Sequence, residues 1–229
     1  MKYNFKKIVV IGLGGSIVYQ DGIDWKFLRD FKKCIERHIT THQFIIGVGG
    51  GRLARGAQEA VGKVKTLTNV EKDWLGIYAT RLNAKIVQTV FGALTDKEMV
   101  DARGKITKLR KPVTLACGWT PGWSTDYISA VLAYDFGAHE VIEAGKPAFI
   151  YDKNPDEFKG AKPFEEMSWQ EYWKIIPHKW VSGASVPIDP VAAKFSKMHN
   201  VAAIVIDGKN IKNLDALLGG KEFKGTIVR

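Results

Sequence analysis

The sequence predicts an α/β fold, a three-layer αβα sandwich with a mostly parallel central sheet. Three observations predict it. Short, uninterrupted apolar runs alternate with stretches of helical periodicity. Several of those runs end in glycine-rich turns, as buried strands that feed helices do. The length of 229 residues, with 45% hydrophobic and 25% charged residues, suits one domain with a substantial core and argues against disorder. We therefore expect a single domain over residues 1–229.

The elements follow in order. Residues 7–11 (KIVVI) read as a buried strand, and the turn GLGGS follows. Phe27, Leu28, Phe31 and Ile35 give residues 24–39 a helical face. Residues 43–48 (QFIIGV) form a second buried strand ending in Gly49-Gly50-Gly51, and a helix starts directly after it over 52–61. Trp74, Tyr78, Leu82, Ile86 and Val90 recur every four residues and predict a long helix. Residues 112–117 (PVTLAC) form a third strand, stopped by GWTPGW, and residues 124–136 form the next helix, with Ile128, Val131 and Leu132 on one face. Short strands are expected over 140–142 and 148–151, and a loop over 152–163, which is charged and holds two prolines. Ser168 and Glu171 fit a capping box, and Asp189-Pro190 fits an N-cap followed by proline at the first helical position. Residues 201–206 (VAAIVI) and 225–229 complete the strands.

Composition excludes several classes of function. The formal charge of +10 favours anionic partners without choosing among them. The lysines are scattered rather than clustered with aromatic residues, which speaks against a nucleic-acid surface. No apolar run approaches the roughly 20 residues of a membrane span, and the basic start lacks the long greasy segment of a signal peptide, so a soluble cytoplasmic protein is expected. Cys34 and Cys117 cannot build a disulfide framework or a zinc site. No Walker P-loop, HExxH, CxxC or GxSxG motif occurs, and GLGGS lacks the third glycine of a dinucleotide fingerprint. The five histidines form no recognisable constellation and are assigned to surface or solvated loops.

What remains is a set of three glycine-rich segments, each after a strand: Gly12-Leu13-Gly14-Gly15-Ser16, Gly49-Gly50-Gly51-Arg52, and the run from Gly118 to Asp126. In a parallel sheet such turns share one edge, where ligands bind. Glycine lets backbone amides approach a phosphate, and the next helix adds unpaired N–H groups and a positive dipole end. Turn geometry alone explains any one of the three. Three together, with Arg55 one turn beyond Gly51 and with Ser124-Thr125 at a helix start, point to several phosphates or to two phosphorylated ligands end to end. Asp73 and Asp126 also fit helix N-terminal roles, and Trp119 and Trp123 also fit core or subunit-contact roles.

The segments IGLGGS (11–16), GVGGGRLAR (47–55), DWLGIYATRLNA (73–84), TPGWSTDYISAVLA (120–133), YDKNP (151–155) and IDPVAAK (188–194) resemble, in order and spacing, those of the amino acid kinase superfamily, and within it the archaeal-type uridylate kinases. The resemblance implies the amino acid kinase-like (carbamate kinase-like) fold. It also implies transfer of the γ-phosphoryl of ATP to UMP, in pyrimidine nucleotide synthesis, by a homohexamer with Mg2+ carried by the nucleotide and no metal held by the protein. Residue by residue, it places Gly12, Leu13, Gly14, Gly15, Ser16, Gly51 and Arg55 on ATP, with Gly145, Lys146, Tyr151 and Asn154 on its adenine side. It places Gly50, Asp73, Trp119, Thr120, Pro121, Gly122, Trp123, Ser124 and Thr125 on UMP. Arg55 and Asp126 belong to the catalytic set, and Lys146 joins it as a cation that would replace, near the β,γ-phosphates, the lysine missing from the first strand. The N-terminal part, about 1–137, would serve the acceptor, and the C-terminal part, about 138–229, would serve ATP.

This chain departs from the family pattern at Gly12, where many members carry lysine, and at Asn154, where the usual residue is aspartate. It also departs across 145–151, where a VDG segment is lost, and at Trp123, where histidine is common. Those departures keep a second reading open: a catalytically degenerate protein of the same fold that binds a nucleotide or oxyanion for sensing or storage. A kinase for another small acceptor fits the PGWSTD and IDPVAAK segments less well.

Overall fold

A parallel core of five strands carries the chain's buried apolar runs. In the computed structural model, which describes residues 1–155, 157–179 and 186–229, strand β1 (Ile8–Leu13) pairs in parallel with β2 (Gln43–Val48) on one side and β4 (Glu140–Gly145) on the other. Beyond β2 lies β3 (Val113–Ala116), and beyond β4 lies β8 (Ala202–Asp207), both also parallel. The far edge is β9 (Thr226–Val228), antiparallel to β8, followed by β7 (Glu166–Met167). The chain lays β2 and β3 to one side of β1 and returns to lay β4 on the other. The strand order therefore reverses between β1 and β4, and a crevice opens where their C-terminal ends diverge.

Alternation along β1 shows the three layers. Val9, Ile11 and Leu13 pack in the cluster formed with α2 (Trp25–Glu36), α4 (Asn69–Phe91) and α8 (Ile211–Leu218). Val10 packs in the opposite cluster with α5 (Thr125–Asp135). A third cluster joins β8 to α6 (Trp169–Ile175) and α7 (Pro190–His199). The sandwich and its mostly parallel sheet are as expected.

The predicted caps are present. Ser168 and Glu171 form a reciprocal capping box, and an Asp189 carboxylate oxygen accepts hydrogen bonds from the Val191 and Ala192 amides at 2.7 and 3.1 Å. Such caps contribute about 1 kcal/mol each.

Four expectations need correction. The strand expected over 148–151 lies outside the main sheet: β5 (Ile150–Tyr151) pairs with β6 (Pro163–Phe164) as a separate antiparallel hairpin. The predicted loop over 152–163 therefore ends in a strand, and its position 156 lies outside the described residues. Strand β4 runs on to Gly145 rather than stopping at Ile142, which carries Glu143 into the sheet. Helix α4 begins at Asn69, capped by Thr68 and Glu71, so Asp73 lies inside the helix rather than at its cap. The long helix predicted from the four-residue repeat is present, and the repeat drifts from solvent to core along it, with Ile86 and Val90 packed against the core. A strict spacing of four advances about 40° per step around a helix of 3.6 residues per turn. Trp74, Tyr78 and Leu82 accordingly stand 40%, 63% and 53% exposed, while Ile77, Ala84, Val87 and Phe91 supply the buried face. Helix α8, with Leu214, Leu217 and Leu218 buried, was not anticipated.

One buried carboxyl is poorly compensated. Glu140, at the start of β4, receives a hydrogen bond from the Tyr3 hydroxyl at 3.2 Å, and its other oxygen has no partner. Burial pushes its pKa from 4.5 up to about 7. Because the folded-state pKa is the higher one, the unfolded chain releases the proton first. Stability is therefore greatest below about pH 4.5 and is lost as pH rises through about 7. Glu140→Gln should flatten that loss and melt about 2–4 °C above the parent near pH 8, the shift that ~1 kcal/mol gives at this chain length. Thermal melts across pH check it, and a variant that keeps the parent's pH slope contradicts it.

Candidate active site

The three glycine turns converge. The turn after β1 and the turn after β2 touch backbone to backbone: the Gly49 amide donates to the Leu13 carbonyl at 2.9 Å. A Cβ on Gly15 would lie closer than 3.0 Å to the Gly49 backbone, and one on Gly51 would meet Gly15 and Ser16 equally closely. Gly51 also has φ +58, which side-chain-bearing residues rarely adopt. Gly14 donates in turn to the Ala144 carbonyl at 2.9 Å, tying the first turn to the end of β4.

Helix α4 ties the second and third glycine segments together. The Asn83 side-chain amide donates to the Gly49 and Gly50 carbonyls at 2.9 and 3.2 Å. The Thr80 hydroxyl accepts from the Gly118 amide at 2.7 Å and donates to the Ile77 carbonyl at 2.6 Å. The Asp73 carboxylate accepts from the Gly122 amide at 2.8 Å. Positions 73, 80 and 83 recur at near-integral helical turns, so one stripe of α4 reaches both the second and the third glycine segment.

Between these turns and the end of β4 lies a cleft of about 380 Å³. Its lining includes residues 12–16 after β1, Gly50, Gly51 and Arg55, Asp73, and Thr120, Trp123, Ser124, Thr125 and Asp126, with Gly145 and Lys146 opposite. Helix α3 (Gly51–Gly62) starts in the cleft with no side-chain cap on its first amides, which suits an anion. Arg55 donates to the Ser16 hydroxyl at 2.9 Å across the first two turns. Ser124 caps α5 by accepting from the Tyr127 amide at 2.9 Å, and its own hydroxyl donates to Asp189.

Five residues assigned by sequence lie outside that lining. Trp119 is buried, with its indole N–H donating to the Val100 carbonyl at 3.0 Å. Pro121 and Gly122 form the turn behind it, Gly122 serving Asp73 as described. Tyr151 sits in the β5–β6 hairpin with its ring beside Phe149, and Asn154 donates to Glu157 at 2.7 Å. Thr80 and Asn83 were not singled out by sequence, and neither was Glu143. A glutamate inside the apolar run VIEAG was the available signal for Glu143.

The cleft is electrically polarised. Arg52, Arg55 and Lys146 stand exposed at its rim, with Arg52 3.0 Å from Asp21. Three carboxylates occupy its floor: Asp126, Glu143 and Asp189. Burial, and then the neighbouring Asp189 charge, push Asp126 above the ordinary carboxylate range, and burial with the Asp126 and Asp189 charges does the same to Glu143. Elsewhere, Cys34, His38 and Asp215 meet where α2 packs on α8. His38 is therefore a partly buried partner of Asp215 at 2.9 Å rather than a solvated loop residue. Arg37 also donates to that aspartate at 3.1 Å, and burial pushes the Cys34 thiol up to about 12, so the group is a neutralised ion-pair cluster with no free thiolate.

Anion-cradling backbone over a sheet switch point, with cationic residues at the rim, defines a phosphate-handling α/β protein. Comparison with known proteins narrows this. The chain belongs to the amino acid kinase family, whose model matches residues 7–207. It is similar to the uridylate kinase of Methanothrix thermoacetophila, with 30% identity over 228 residues, covering 97% of this chain and 99% of that one. It is also similar to the uridylate kinase of Archaeoglobus fulgidus, with 31% identity over 225 residues, covering 96% and 99%. The crystal structure of uridylate kinase from Archaeoglobus fulgidus matches over 100% of both chains, with TM-score 0.83 and 28% identity. The UMP kinase of Bacillus anthracis shares the fold, with TM-score 0.79 and 19% identity over 99% of this chain and 97% of that one.

Thr80→Val keeps the volume of the side chain but leaves the buried Gly118 amide without its acceptor. It should cost about 1–3 kcal/mol and weaken ligand binding at the third glycine segment. Denaturant unfolding and UMP titration check it; a variant as stable as the parent contradicts the role given to α4.

Proposed function

We propose that this chain transfers the γ-phosphoryl group of ATP to UMP, giving ADP and UDP. The observation that carries the reading is the uncapped start of α3, set between the turn after β1 and the segment 118–126 in one cleft. Two phosphorylated molecules entering from opposite ends bring their phosphates together there. Phosphoryl transfer has a loose, charge-spread transition state, so catalysis is mainly positioning and donor groups aimed at developing charge. A cleft that sets backbone amides and cationic side chains around the phosphates suits that demand.

In this reading residues 12–16, Gly51 and Arg55 hold the ATP phosphates, and Lys146 closes on them from the end of β4. Gly50, Asp73 and residues 119–125 hold UMP. Asp73 faces the ribose hydroxyls with the oxygen that Gly122 does not use, and Trp123, 37% exposed beside Trp119 and Tyr127, offers its ring to the base. Asp126 orients the cationic groups around the transferred phosphoryl. Tyr151 and Asn154 belong to the adenine side, reached when the hairpin segment meets the nucleotide. The part before about residue 137 serves the acceptor and the part after it serves ATP. Mg2+ carried by the nucleotide would supply positive charge that neutralises the phosphates held by residues 12–16, Gly51 and Arg55.

The exposed row Val70, Trp74, Tyr78 and Leu82 on α4 supports self-association, with a homohexamer as the assembly. No described helix is long and apolar enough to cross a membrane, in keeping with a role in the cytoplasm in pyrimidine nucleotide synthesis.

Coupled ADP release with Mg2+ should appear with UMP and be slight with CMP or AMP. Arg55→Ala should lower kcat/KM by about 100-fold, the scale of losing one donor to the transition state. Strong thermal stabilisation by nucleotides without ADP release from any nucleoside monophosphate would instead make this a binding protein.

A further inference from the structure

Gly12 and Glu143 are direct partners across the β1–β4 pairing. A Cβ on Gly12 would collide with the Glu143 carboxylate, so the missing side chain on β1 is the space the glutamate occupies. Both residues lie on the sheet face that α5 and α7 cover, since Val10 and Val141 of the same parity pack there. Glu143 is only 8% exposed, lines the cleft, and has no hydrogen bond or ion pair among the described residues. A carboxylate buried to that degree without a partner is expensive. Its neighbours make matters worse, because Asp126 and Asp189 face the same space and no lysine or arginine pairs with either. Phosphates entering above three carboxylates meet repulsion unless a cation lies between.

We propose that Glu143, with Asp126, holds a divalent cation of the Mg2+ or Mn2+ class at the floor of the cleft. Asp189 is committed elsewhere: one oxygen caps α7 and the other accepts from Ser124, whereas Asp126 accepts one long hydrogen bond, 3.4 Å from the Asp189 amide to its Oδ2, which leaves Oδ1 for the cation. The carboxylates do not form a closed cage. Cys34, His38 and Asp215 are the described acidic, cysteine or histidine residues whose ligand atoms all come within 4.8 Å of one another, and the floor trio does not. An open site of that kind matches a cation that takes one or two carboxylates and fills its other positions with water and phosphate oxygens. The cation then belongs to the protein as well as to the nucleotide, and it supplies, between β1 and β4, positive charge that Gly12 does not.

This deepens the reading of the same cleft, and its test is independent of turnover. Mn2+ binding is followed by the loss of the free-ion EPR signal, without nucleotide, at about pH 8. The parent protein should bind about one Mn2+ per chain. Glu143→Gln, which keeps the shape and removes the buried charge, should stay folded and bind ~10-fold or more weakly. Gly12→Ala leaves the glutamate intact but displaces its flexible end, and should weaken Mn2+ as well. Asp215→Asn, in the other cluster, should not change it. Parent protein that binds no Mn2+ overturns the proposal, as does a Glu143→Gln protein that binds it as tightly as the parent; the latter would make Glu143 a protonated donor to phosphate. Neither result bears on UMP-dependent ADP release, and absence of that release would leave the metal site standing.

Discussion

Backbone meets backbone where the turn after β1 crosses the turn after β2, and the shape of the cleft depends on it. Side chains at Gly15 or Gly51 would force these segments apart. With none there, Ser16 comes within reach of Arg55, and the first amides of α3 open toward the end of β4. Parallel pairing of β1 with both β2 and β4 sets the level at which this happens, because the three strands end together. The switch in strand order then leaves room above them.

Helix α4 makes that arrangement rigid. Its buried stripe carries polar residues where an ordinary packing helix would carry leucine. Three of them have a backbone group of a glycine segment as partner: Gly122 for Asp73, Gly118 for Thr80, Gly49 and Gly50 for the Asn83 amide nitrogen. Buried polar groups with partners cost little and specify geometry; the same groups without partners would cost about 1–3 kcal/mol each. The floor of the cleft obeys the opposite rule. Glu143 is buried with no hydrogen bond or ion pair among the described residues, the pattern proposed above for a ligand's place.

Much of the fold was legible because strand length and burial leave a plain record. QFIIGV and VAAIVI are continuous apolar runs bounded by turns, and both became central parallel strands. The cap residues Ser124, Ser168 and Asp189 were legible for a similar reason, since capping is local chemistry. Tertiary context hid the rest. The four-residue row on α4 satisfied a helical template while pointing largely to solvent, because periodicity gives a helix without saying which side is covered. Asp73 fitted a cap as well as a ligand role, because Trp74 looked like a beginning, yet Thr68 and Glu71 had already capped the helix. Glu143 went unread because a strand was ended at the second glutamate of EVIE, where a buried charge was the more informative possibility. Thr80 and Asn83 act only through glycine segments distant in sequence, so no local pattern marks them.

The claim beneath all of this is that one cleft holds two phosphate-bearing molecules at once, facing each other over the start of α3. Calorimetric titration of UMP and a non-hydrolysable ATP analogue, added in either order, tests it most directly. Each ligand should bind in the presence of saturating amounts of the other, at one per chain. Mutual exclusion, with either ligand displacing the other, would contradict it.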